Sequence, residues 1–365
     1  MVDRSIKYSI VILLALLIAC CDEPMGGVDL RSIPFDPVTY APVVPANFPQ
    51  LEVPEDNQLT VQGVELGRRL FYDSILSADS TMSCSSCHLP SGNFTDNLAV
   101  SVGIDKVAGK RSSMTLLNVA FSNTGLFWDG RINTLEEQAL LPVEDPIELH
   151  DTWPNVESKL RRHADYPKLF RQAFGIEEES QITKDLAAKA LAQFERIMIS
   201  SGNSKYDRVI NGTDVFSDLE LDGHDIFFDV NEDLTRHAEC GHCHNAPLFT
   251  TNEFFNNGLD EALSLTDFTD LGKGQLTDKL FDNGTFKVPT LRNIEYSAPY
   301  MHDGRFATLD EVIDHYITGG NHADNLAPVL RPLTLDEYDR SALIAFIRTL
   351  EDQDFLNNPL LSDPF

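Results

Sequence analysis

The sequence predicts an all-α protein made of two copies of one unit. Three observations carry that reading. The pentad Cys84-Ser85-Ser86-Cys87-His88 returns as Cys240-Gly241-His242-Cys243-His244. Gly67, Phe71 and Asp73 precede Cys84 by the distances at which Gly223, Phe227 and Asp229 precede Cys240. Apolar residues recur at helical spacing over 186–199 and 335–350, and no long alternating strand stands out. Helix starts are marked at Thr134, Ser217, Thr308 and Thr334, each followed three residues later by Glu in the capping-box pattern.

Each pentad is a C-x-x-C-H signature for covalent c-type haem. Two thiols add to the haem vinyl groups as thioethers, and the histidine that follows is placed as the proximal iron ligand. The attachment residues are Cys84, Cys87 and His88, then Cys240, Cys243 and His244. The unit is thus a cytochrome c-like haem domain, present twice through an internal repeat. Ser, Gly and Asn cluster over 200–216. We divide the chain there, into an N-terminal haem domain over 59–203 and a C-terminal one over 204–356.

Before these domains, residues 1–19 read as an export signal. Arg4 and Lys7 form a short basic head, and Ile10 to Ala19 is almost wholly apolar but too short to span a bilayer. The run ends Leu17-Ile18-Ala19-Cys20, which resembles a bacterial lipoprotein signal with lipid on Cys20; an uncleaved anchor is the alternative. Export agrees with the haem motifs, because c-type haem is attached outside the bacterial cytoplasm. The expected address is therefore periplasmic, with a lipid anchor in a bacterial membrane. Residues 20–58 are rich in Pro and acidic residues and read as a tether. Of six cysteines, only Cys20 and Cys21 lie outside the pentads, so none in the body is left for a disulfide. The net charge of −29 excludes nucleic-acid binding, which needs a basic patch. It suits a cationic partner such as a small cytochrome c, or serves solubility alone.

The repeat continues past the pentads. Thr115-Leu116-x-Asn118 matches Thr290-Leu291-x-Asn293, and Asp129-Gly130-Arg131 through Glu137 matches Asp303-Gly304-Arg305 through Glu311. Seven residues after Leu309 comes Tyr316, whereas seven after Leu135 comes Pro142. A tyrosine can ligate iron through its phenolate; a proline has no side-chain donor atom. The second haem is expected to be closed by Tyr316 and the first open, with Met301, His302, His315 and His322 as rival ligands of the second. No histidine lies between His88 and His150 to close the first. Glu148 and Gln138 flank Pro142, and the Glu148 carboxylate is a candidate for moving protons beside an open iron.

These residues resemble those of the bacterial di-haem cytochrome c peroxidases and the related enzyme MauG. The resemblance covers about residues 60–350. It rests on Leu66-Gly67-Arg68-x-Leu70-Phe71, both pentads, Phe127-Trp128-Asp129-Gly130-Arg131, Leu135-Glu136-x-Gln138, Pro146-x-Glu148, and Pro289-Thr290-Leu291-Arg292-Asn293 through Gly304. It implies that the N-terminal haem meets peroxide and the C-terminal haem passes electrons. It also implies that Trp128 stands between the haems and that Gln138 and Glu148 are the distal pair. A calcium ion between the domains would take the carbonyls of Ser297 and Pro299. Ser112 stands where the family has an Asn ligand. The classical peroxidases carry a removable distal histidine where this chain has Ile104, and a methionine where it has Tyr316. On both counts the chain is similar to MauG, and it should need no reductive activation.

The expected function is reduction of hydrogen peroxide at the N-terminal haem. Glu148 moves the proton, Gln138 orients the peroxide, and an electron donor such as a small cytochrome c feeds Trp128 and the C-terminal haem. The alternatives are MauG-like oxidation of residues on a protein partner and a non-enzymatic electron-transfer cytochrome.

Overall fold

The structure, a computed structural model, describes residues 28–230 and 236–365; the export signal and Cys20 lie outside them. Its first half contains α1 (Val61–Tyr72), α2 (Leu135–Gln138), α3 (Leu141–Glu144), α4 (Trp153–Arg162), α5 (Tyr166–Phe174) and α6 (Lys184–Glu195). The second contains α7 (Lys205–Ile210), α8 (Asp218–Phe228), α9 (Gly274–Thr277), α10 (Leu309–Thr318), α11 (Glu337–Arg348) and α12 (Gln353–Leu356). The chain is mostly helix and loop, with one correction to the all-α reading. Two short strands, β1 (Phe254–Phe255) and β2 (Phe286–Lys287), pair antiparallel. At two residues each, they are too short for alternation to register in a sequence.

Two helix crossings organise the cores. α1 lies against α6 so closely that a Cβ on Gly67 would sit 1.9 Å from the Ala190 carbonyl oxygen. α8 meets α11 in the same way: a Cβ on Gly223 would sit 1.9 Å from the Ala342 oxygen. Only glycine permits backbones to approach this closely. Around the first crossing pack Leu66, Leu70, Phe71, Phe94 and Phe194. Around the second pack Ile226, Phe227, Phe249 and Phe346. Gly67→Ala is expected to cost about 1–3 kcal/mol by overpacking. Thermal unfolding of the holoprotein should show a lowered midpoint, and an unchanged one would mean that the helices can slide apart freely.

The caps follow the sequence at three of four positions. Thr134 accepts the Glu137 N–H, and Ser217 and Thr308 form full capping boxes with Glu220 and Glu311. Thr334 does not cap a helix. α11 begins later, at Glu337, and is capped by Asp336, which boxes with Asp339. An aspartate caps at least as well as a threonine, and here it directly precedes the turn that enters the core.

The tether reading fails for residues 28–58. Leu30 is buried in the first core, its N–H bonds the Glu177 carbonyl at 2.8 Å, and Tyr40 bonds Leu59 at 2.9 Å. Scattered apolar residues give this stretch enough burial to lie down on the domain despite its prolines. The C-terminal end also departs from the expected boundary. Phe355 and Leu361 join the first core, and Phe355 meets the Phe94 ring at 5.7 Å. Residues just past α11 therefore stabilise the first half.

Candidate active site

Each pentad folds as one tight turn. Cys84–Ser86 and Cys240–His242 are single 3₁₀ turns, and the N–H of His88 and of His244 bonds back to the first cysteine's carbonyl at 3.1 and 2.9 Å. That turn carries the histidine round beside its two thiols. A backbone carbonyl then fixes each imidazole. His88 Nδ1 donates to Phe94 O at 2.8 Å, and His244 Nδ1 to Phe249 O at 3.2 Å and Pro289 O at 3.1 Å. Both phenylalanines hold left-handed backbone, φ 59° and 54°, which aims their carbonyls at the rings. Fixing Nδ1 as the donor leaves Nε2 as the nitrogen available to a metal. Burial pushes the pKa of both imidazoles down, that of His244 to about 4, so each stays neutral.

Cys87, His88, Cys240, Cys243 and His244 all line one cavity of about 1520 Å³. A single small-molecule site ordinarily offers roughly 300–1,000 Å³, so this one has room for more than one bulky group. Paired thiols, neutral imidazoles with Nε2 unclaimed among the described residues, and a large shared cavity fit two c-type haems.

On the first-half side, Gln138, Pro142 and Glu148 line the same cavity as His88. The sequence difference at Pro142 has a backbone consequence. Proline lacks the N–H of the helix ladder, and its ring clashes with the carbonyl four residues back, which belongs to Gln138. The helix accordingly stops at Gln138 and restarts at Leu141, whereas α10 runs unbroken through Tyr316. Glu148 follows the broken helix, held by its N–H to Asp145 O at 3.0 Å and by Ile104 N–H to its own carbonyl at 2.9 Å. Burial, with Asp145 adding and Arg131 opposing, pushes its carboxyl up to about 7. Ile104 thus meets this loop through its backbone.

On the second-half wall stand Tyr316, Met301 and His302. Asn257 Nδ2 lies 3.4 Å from both Tyr316 Oη and Met301 Sδ, so two of the expected rivals share one amide. His302 stacks on Phe286 with ring centroids 3.6 Å apart. His315 Nε2 is taken by the Asn257 carbonyl at 2.9 Å, and His322 is exposed on the surface. Burial pushes the Tyr316 phenol up to about 12.

Trp128 lines the cavity in the wall shared by the halves. Its Nε1 donates to Ser112 O at 2.9 Å, and its carbonyl accepts Lys287 N–H at 2.9 Å. Arg111 locks the same loop by pairing with Asp129 and Asp270, each at 2.7 Å. Ser112, Ser297 and Pro299 line the cavity too, but the Ser112 hydroxyl donates to Met301 O at 3.0 Å. These three residues bring no carboxylate, and calcium ordinarily takes six to eight oxygens. As a calcium cage they do not fit by themselves. Asn257 was not anticipated, since a single Asn in a loop carries no sequence signal.

The sequence pattern of the di-haem cytochrome c peroxidase family matches residues 61–215. A methylamine utilization protein MauG of Methylorubrum extorquens is 35% identical over 302 residues, covering 82% of this chain and 80% of its own. A cytochrome c551 peroxidase of Nitrosomonas europaea is 33% identical over 323 residues, covering 88% and 90%. Among solved structures, a MauG-like protein associated with microbial copper homeostasis superposes with a TM-score of 0.80 at 32% identity, covering 88% of this chain and 98% of that one.

Proposed function

The chain belongs to the di-haem cytochrome c peroxidase family and is an enzyme of it, and from that membership we propose that it reduces hydrogen peroxide at the haem held by His88. The observation that carries this reading is the first-half wall. A buried carboxyl, Glu148, and an amide, Gln138, share the cavity with His88, and Pro142 stands where the second half has Tyr316. A haem held there by Cys84, Cys87 and His88 would supply the redox chemistry that cleaves the peroxide bond. Glu148 as carboxylate takes the proton from one peroxide oxygen and delivers it to the other, which leaves as water. The net reaction consumes two electrons and two protons and yields two waters. Gln138 orients the peroxide through its amide. Trp128, pinned to Ser112, carries electrons between the two sites. His244 and Tyr316 would hold the second haem, with Asn257 Nδ2 3.4 Å from the phenol oxygen. The two similar crossings at Gly67 and Gly223 support descent of the halves from one repeated unit, with domains over 59–203 and 204–356.

The test is the resting ferric holoprotein. One high-spin and one low-spin haem by EPR and absorption are expected, and two low-spin haems would reduce the protein to an electron carrier. Tyr316→Phe is expected to change the low-spin signal while leaving the high-spin one; no change would hand the ligand role to Met301.

Tyr316 and Ile104 also favour a second reading, MauG-like oxidation of residues on a protein partner. The relatives named MauG support it. The net charge of −29 fits a cationic electron donor. We further propose a periplasmic address with a lipid on Cys20. Among the described residues no helix is long and apolar enough to cross a membrane. Calcium, if bound at Ser112, Ser297 and Pro299, would have to draw most of its oxygens from carbonyls and water.

A further inference from the structure

Glu195 is the last residue of α6, 5% exposed, and it lines the cavity. Its Oε2 is buried and has no hydrogen-bond partner among the described residues. The neighbouring cation cannot serve it. Arg196 gives its guanidinium to Glu136, at 3.0 and 3.1 Å to the two carboxylate oxygens. A buried polar group left unpaired costs roughly 1–3 kcal/mol, and a buried unpaired charge costs far more. The side chain therefore needs a partner that the described residues do not provide.

The two helix crossings show how unusual this residue is. Gly67 meets Ala190 and Phe194, and Gly223 meets Ala342 and Phe346, at nearly the same distances. Counting on from the alanines, Glu195 occupies the register that Ile347 occupies in α11, five residues along in each helix. Ile347 lines the same cavity. One wall thus presents an acid and its counterpart an alkyl chain. Glu195 is also near enough to Cys84 for its charge to push that thiol up, as is Glu148.

We propose that Glu195 is a protonated carboxylic acid turned with its O–H toward the first haem, a residue of that haem's site distinct from Glu148 and Gln138. The reading rests on a haem being bound at Cys84, Cys87 and His88. Burial, opposed by Arg196 and reinforced by Glu136, pushes its carboxyl up to about 8, in keeping with the protonated form. A neutral acid presenting its hydrogen to the haem favours the reduced over the oxidised iron, because reduction removes a positive charge from the ring. A haem held by His244 would find Ile347 at the matching position and lack this influence. The acid is therefore one source of a potential difference between two sites with similar proximal halves.

The test uses the holoprotein with both haems, in Glu195→Ile and Glu195→Gln forms. Haem stoichiometry by absorption comes first: two per chain in the wild type secures the premise, and fewer would count against the haem-site reading rather than against Glu195. Spectroelectrochemistry should then show a lower midpoint for the first haem in Glu195→Ile, a smaller change in Glu195→Gln, whose amide still donates, and no change for the second haem. Redox-difference infrared spectra should contain a protonated-carboxyl band that follows the first haem, survives Glu148→Gln and disappears in Glu195→Gln. An unchanged first-haem midpoint, a raised one in Glu195→Ile, or absence of the band would each overturn the proposal. Should Glu195→Ile fold poorly, the isosteric Glu195→Gln still decides through the infrared band.

Discussion

Glu148→Gln is expected to slow peroxide reduction by about 10²–10⁴-fold, the usual worth of a positioned proton-transfer group. Glutamine fills the same space and keeps the loop bonds to Asp145 and Ile104, which are made by backbone atoms. The resting absorption and EPR spectra should therefore be retained while the rate collapses. Stopped-flow mixing with peroxide measures this directly, and a rate equal to the wild type's would remove Glu148 from the mechanism. The pH profile supplies a second signature. The carboxyl is pushed up to about 7 by burial, so the base form that accepts the proton is present only above that pH. The rate should rise with pH through about 7 in the wild type and lose that rise in Glu148→Gln. The stability linkage has the opposite sense. The native carboxyl holds its proton over a range, from its ordinary 4.5 up to about 7, in which the unfolded chain has released it. This one group thus lowers stability as pH rises across that window and adds no further slope above it.

The two candidate haem-attachment turns were legible in the sequence because C-x-x-C-H is a chemical requirement written into consecutive positions. The Pro142/Tyr316 contrast was legible because a repeat allows one half to be read against the other. The same comparison places Glu195, the last residue of α6, against Ile347. Other features were not legible for physical reasons. Thr334 carried the capping pattern with Glu337, yet Asp336, followed by Asp339 rather than Glu, is the residue that caps the helix, because packing decides where it begins. The 28–58 stretch looked like a tether by composition. A few apolar residues such as Leu30 and Phe48 suffice to fix it once the rest of the surface exists. Asn257 reaches Tyr316 from 59 residues away, a contact that no local pattern encodes.

Asp207→Ala is expected to destabilise the protein by about 3–5 kcal/mol, the cost of leaving one member of a buried ion pair alone. Arg292 is 0% exposed, and its two terminal nitrogens meet the two Asp207 oxygens at 2.9 and 2.7 Å. Burial alone would raise the Asp207 carboxyl, but the guanidinium holds it below the usual carboxylate range. Its stabilising contribution is therefore present at neutral pH and is lost as the solution is acidified through the acid range. The pair sits where the halves meet. Arg292 lies over the rings of Phe48 and Phe249, and its carbonyl accepts from Asn93 of the first half at 3.3 Å. Its Nε donates to Pro247 O at 2.8 Å, and so braces the 247–249 segment whose Phe249 carbonyl orients His244. Loss of the pair should for that reason loosen the second haem's ligand as well as the fold. Chemical denaturation measures the first effect, and the low-spin EPR signal of the surviving native fraction reports the second. The double replacement Asp207→Leu with Arg292→Met should recover part of the stability, because no charge is then stranded. It should not restore a sharp low-spin signal, because Pro247 has still lost its brace. Recovery of both together would mean that the 247–249 segment is held by packing alone.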